Sequence, residues 1–138
     1  NATSSRNYPK IVGGAAAGTQ NLITVAALPE SDDPTMAAFR ARFEKRFPEL
    51  VKQDRPDLAD VLGYGGALAF IEGLKRAGPE LTREKFIAAL EQLRDFQTGV
   101  SLPTTFSGTS HEGNHIARIV EIQPDLTRKL LPIIIKAE

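Results

Sequence analysis

Polar stretches and regularly spaced apolar residues alternate along this chain. From Pro34 to about Phe47, the residues Met36, Phe39, Phe43 and Phe47 fall three or four apart, which places them on one face of a helix. Asp33 and Pro34 suit its start. The carboxylate can accept first-turn amides, and proline at the first helical position loses no donor the helix needs. A second helix is predicted from about Leu58 to Ala77, with Tyr64, Ala67, Leu68, Ile71 and Leu74 on one face and Gly78-Pro79 closing it. Gly63, Gly65, Gly66 and Gly73 lower its intrinsic helix preference, which implies close backbone packing or a frayed first turn. A third helix opens at Thr82, with Leu81 and Phe86 placed as a hydrophobic staple and Ile87, Leu90 and Leu93 on the inner face.

Strand patterns flank these helices. Lys10-Ile11-Val12-Gly13-Gly14 reads as a short strand entering a glycine turn, and Asn21 to Leu28 as a second strand rich in β-branched residues. Residues 1–9 read as polar turns and 51–57 as a polar loop containing Pro56. After a turn at Gly99 to Pro103, Thr104 to Phe106 reads as a short strand and Ser107 to Asn114 as a loop. His115 to Gln123 alternates, and Lys129 to Lys136 forms a last strand. There Pro132 lacks an amide donor and predicts an edge or a bulge. The sum is an α/β fold, a mixed sheet flanked by about three helices, in one module over residues 1–138.

Composition narrows the function. The 17 Lys and Arg balance 17 Asp and Glu, so no basic excess favours nucleic acid. No Cys is present, which removes disulfides, thiol nucleophiles and thiolate metal sites. No apolar run approaches the roughly 20 residues that insertion across a membrane requires. The sequence begins at Asn1 rather than Met and shows no signal peptide, so a processed form or a fragment is expected. Asn1-Ala2-Thr3 matches a glycosylation sequon.

Three motifs suggest chemistry and then lose it. His111-Glu112-Gly113-Asn114-His115 matches HExxH, but zinc binding by that motif needs both His on one helix face. Gly and Asn at its centre favour a loop, and these are the only two His. Lys10 to Gly14 resembles a protease activation site without the rest of a protease. Gly13 to Gln20 has phosphate-loop glycines, but Thr19-Gln20 stands where Lys-Ser/Thr belongs. No cofactor, catalytic group or metal site is expected.

The stretch from Ser31 to Gln123 resembles the last third of a type I periplasmic binding protein of the branched-chain amino acid class. Ser31-Asp32-Asp33-Pro34 followed by Phe39 and Phe43, the run Tyr64-Gly65-Gly66-Ala67-Leu68 to Arg76-Ala77-Gly78, and Leu81 to Leu90 carry the likeness. Phe96-Gln97-Thr98-Gly99, Thr105-Phe106 and His111-Glu112-Gly113 follow in the family's order. The resemblance implies a flavodoxin-like lobe, capture of a small solute between two hinged lobes, and delivery to an ABC permease. The solutes implied are branched-chain amino acids, amides or aromatic acids, and the location is periplasmic or extracellular. It also implies that the helix bearing Tyr64 starts at the cleft, which nominates Asp60, Val61 and Tyr64 as ligand contacts. Val61 and Tyr64 suit a core position equally well. Family members are more than twice as long, so a complete binding site is not expected here.

Two rivals stand beside transport. One is a stand-alone interaction module, and the other a zinc hydrolase using His111, Glu112 and His115. The resemblance places about Asp60 to Leu93 in one lobe and the flanking strands in the other. Leu68, Phe70, Ile71 and Leu74 cover too much of the helix for one stripe, so self-association or a partner is expected, with a symmetric homodimer as the first form and a monomer that folds the helices back onto its own sheet as its rival.

Overall fold

The computed structural model describes residues 4–136, so the Asn1-Ala2-Thr3 sequon lies outside the described residues. In chain order these form α1 (Asn7–Val12), a 3₁₀ turn (Gly13–Ala16), β1 (Gln20–Ile23), α2 (Pro34–Arg46), α3 (Pro48–Val51), α4 (Leu58–Ala77), α5 (Arg83–Leu90), β2 (Ile116–Ile122) and β3 (Arg128–Lys136). The α/β class and the three main helices stand. Among the described residues the sheet runs β1-β2-β3 and both pairs are antiparallel, where a mixed sheet was expected.

The capping chemistry explains where the helices begin. Asp33 Oδ1 accepts the Thr35 and Met36 amides at 2.9 and 3.0 Å, with Pro34 at the first position. At α4, the Asp57 amide donates to Asp60 Oδ2 at 2.9 Å, and Gly78 ends the helix with φ of 78°. Thr82 Oγ1 accepts the Lys85 amide at 3.2 Å and opens α5.

The expected strand at Lys10 to Gly14 is instead the end of α1 and the start of the 3₁₀ turn. Pro9 lies in the first helical turn, where its missing amide costs no intrahelical bond. Ile11 is 83% exposed, so no buried face selects a strand there. The strand expected from Asn21 to Leu28 stops at Ile23. Beyond it the chain pairs elsewhere: Ala26 N–H donates to Val100 O at 3.0 Å, and Leu102 N–H to Thr24 O at 2.9 Å. Thr104 to Phe106 forms no ladder: Thr104 bridges Phe96, while the Thr105 and Phe106 amides donate to the Gly113 and Leu93 carbonyls at 2.8 and 3.0 Å.

β3 is an edge strand, and it bulges at Pro132. Arg118 faces Ile134 and Val120 faces Leu130, so Leu131 to Ile133 stand opposite Ile119 alone.

One apolar cluster joins sheet and helices. Ile23, Val25 and Val120 pack with Met36, Phe39 and Phe43 of α2 and with Leu58 and Val61 of α4. The glycines of α4 divide by environment. A Cβ at Gly73 would lie 2.6 Å from Leu90 and 2.9 Å from Phe86, so this glycine lets α5 approach closely. Gly63 and Gly66 face open space.

Candidate functional site

The first turns of α4 and the edge strand β1 enclose a cleft of about 390 Å³. Its walls are aliphatic: Leu22, Ile23 and Val25 on one side, Leu58 and Leu62 on the other. Its rim is polar and carries Ser4, Ser5, Thr24 and Asp57. Past Thr24 and Leu62, which belong to both, it runs into a second cleft of about 530 Å³ bordered by Gly66, Phe70, Ser101 and Asn114. Together they make a groove along one side of α4. Leu22, Leu62 and Phe70 are 53%, 39% and 52% exposed on it.

The rim is held by charge. Arg128, whose side chain is 2% exposed, donates to Glu30 Oε1 and Oε2 at 2.8 and 2.7 Å, to Asp57 Oδ1 at 2.9 Å and to the Ser4 carbonyl at 2.7 Å. Asp57 Oδ2 accepts from the Ser5 hydroxyl and the Arg6 amide, both at 2.8 Å. Burial alone would raise the Asp57 pKa. The Arg6 amide, the charge on Arg128 and the Ser5 hydroxyl outweigh it and hold the carboxyl below its ordinary range. Glu30 is lowered in the same way, burial being overcome mainly by Arg128. Asp57 is therefore a charge already neutralised, with little left to offer a ligand cation. Ser4 Oγ differs: it is buried and has no hydrogen-bond partner among the described residues. A buried hydroxyl without a partner costs about 1–3 kcal/mol, so a ligand atom that bonds it recovers a real term.

The three residues nominated from the sequence stand behind this rim. Val61 is fully buried in the core. Tyr64 packs on Phe39 at 5.1 Å between ring centroids, and its hydroxyl accepts from Arg42 at 2.7 Å. Asp60 pairs with Arg55 and caps its own helix. None of the three lines either cleft. The rim residues Ser4, Ser5 and Thr24 gave no signal in the sequence, because they sit in featureless polar or β-branched surroundings far from Asp57 along the chain.

His111 to Asn114 lie in a loop and His115 just precedes β2, so the two His share no helix face. His111 Nε2 lies 2.9 Å from Glu91 Oε1. Among the described residues no three His, Asp or Glu side chains gather as a metal-ion cluster.

A hydroxyl-rimmed aliphatic groove thus runs along one side of α4. The chain belongs to the periplasmic binding protein family, whose family model matches residues 3–127. Solved structures share the fold. A possible leucine/isoleucine/valine-binding protein from Rhodopirellula baltica SH 1 is 23% identical, with a TM-score of 0.72 over 92% of this chain and 33% of that one. A branched chain amino acid ABC transporter from Thermus thermophilus with bound valine is 18% identical, with a TM-score of 0.69 over 96% of this chain and 37% of that one. A fatty acid ABC transporter substrate-binding protein from Thermomonospora curvata is 22% identical, with a TM-score of 0.67 over 86% of this chain and 30% of that one. The chain thus spans about a third of the length of these structures. A comparison with curated proteins gave no match. Among the described residues no helix is long and apolar enough to cross a membrane.

Proposed function

We propose that this chain is part of the solute-binding component of an ABC importer. It takes up a small molecule in the periplasm or outside the cell and delivers it to a permease. The observation that carries this reading is the aliphatic cleft at the first turn of α4, with the unpartnered Ser4 hydroxyl on its rim. Aliphatic walls suit the side chain of a branched-chain amino acid or its amide, and an aromatic acid is the third class of solute. Ser4, Ser5 and Thr24 would meet the polar end. Asp60, Val61 and Tyr64 enter as the support behind the first turns of α4, and solute contact at them is a separate expectation. Thermal melts with valine, leucine, their amides and benzoate test the proposal. One class should raise the Tm, and Ser4→Ala should reduce that rise, while its ligand-free Tm should be at or above that of the parent chain because an unpartnered buried hydroxyl is removed. No rise with any of them would contradict the reading.

A second reading draws support from the bare apolar surface. Leu22, Leu62 and Phe70 along the groove, with Ile133, Ile134 and Ile135 on the β3 edge at 45%, 60% and 41% exposure, suit a stand-alone interaction module closed by protein. A second copy is the occupant expected for the isolated chain. Light scattering should give a dimer at high concentration, and a monomer at every concentration would remove this reading.

A further inference from the structure

We infer that Arg128 is a positioning residue of the cleft: it clamps Ser4, Asp57 and Glu30 together and so sets where the Ser4 and Ser5 hydroxyls stand. This rests on the proposal that the cleft takes a solute.

The argument starts from how far these groups are separated along the chain. Ser4 precedes α1, Glu30 lies in the loop before α2, Asp57 caps α4 and Arg128 begins β3. No local secondary structure joins them. What joins them is one guanidinium whose side chain is 2% exposed and which spends four contacts on three partners.

The geometry needs arginine. Nε and Nη2 form a fork on the two Glu30 oxygens, while Nη1 points to Asp57 and the Ser4 carbonyl. A lysine ammonium has the charge but is a point donor, and cannot serve the fork and the other two acceptors at these distances. The Ser4 carbonyl is held by Arg128, while the hydroxyl has no partner among the described residues. Ser5 is held at second hand, since its hydroxyl bonds the Asp57 carboxylate that Arg128 orients. Arg6 contributes through its amide on Asp57 and through its side chain, 3.4 Å from Glu30. Loosening Arg128 therefore frees the rim and leaves the aliphatic walls, which belong to β1, to Val25 just beyond it and to α4, in place.

The test uses Arg128→Lys, with Glu30→Gln as the second variant should the first fail to fold. Hydrogen exchange is read at the Arg6 amide, which bonds Asp57, and at the Ala26 amide, which bonds Val100 in the core. Protection at Arg6 should fall tenfold or more while Ala26 changes little. Affinity for whichever of valine, leucine, their amides and benzoate the parent chain binds should fall about tenfold. Equal loss at Arg6 and Ala26 would reduce Arg128 to general stability, and unchanged protection at Arg6 would overturn the inference. If the parent chain binds none of these probes, the solute reading fails, and the exchange result still decides whether Arg128 holds the rim.

Discussion

Arg128 concentrates the electrostatics of this chain in one buried cation with two carboxylates. Removing it leaves Glu30 and Asp57 without their main counter-charge, but the two carboxylates keep 38% and 15% of their side-chain exposure, so water replaces part of what is lost. Arg128→Met should therefore lower stability by less than the roughly 3–5 kcal/mol that breaking a fully buried pair costs, measured by urea unfolding. The same pair sets an acid response. Both carboxyls ionise more readily when folded, despite burial, because of Arg128 and the amide and hydroxyl donors around them. A lowered folded pKa adds stability above the unfolded pKa and loses it as pH falls through the folded one. Stability should thus decline below about pH 5, and Arg128→Met should flatten that decline. An equally steep decline in the variant would place the acid sensitivity elsewhere.

At the scale of elements, what could be read from the sequence depended on whether the signal was local. The starts of α2 and α5 were legible because Asp33 and Thr82 cap their own next turns. The edge character of β3 was legible because Pro132 lacks a donor wherever it sits. Lys10 to Val12 forms helix rather than strand although it holds two β-branched residues, because no buried face selects a strand there and Ile11 is exposed. β1 came out shorter than expected because Val25 and Ala26 turn to pair with Val100 and Ser101, a partner no window around β1 contains. The glycines of α4 show the same limit, since composition flagged all four and only the packing separates them. Gly63→Ala, in open space, should stabilise the chain by about 0.5–1 kcal/mol through helix propensity. Gly73→Ala gains the same term but drives a methyl into Leu90 and Phe86, and overpacking of about 1–3 kcal/mol should dominate. Thermal melts of the two variants should shift in opposite directions, and a shared sign would mean that α5 yields easily.

For the whole molecule, the order of segments carried the family likeness, and the family match bears it out. The site was less legible. Asp60, Val61 and Tyr64 belong to α4 but meet Arg55, the core and α2, whereas the α4 face that meets the groove bears Leu58, Leu62, Gly66 and Phe70. Which face is open depends on β1 and the N-terminal segment, which tertiary packing alone brings beside α4. The central claim is that a small solute is held between β1 and the first turns of α4. Amide chemical-shift mapping of the isotope-labelled chain, titrated with valine, leucine, their amides and benzoate, tests it most directly. The account predicts saturable shifts centred on Ser4, Ser5, Thr24, Leu58 and Leu62. Shifts confined to the loop around His111, or none with any of these compounds, would contradict it.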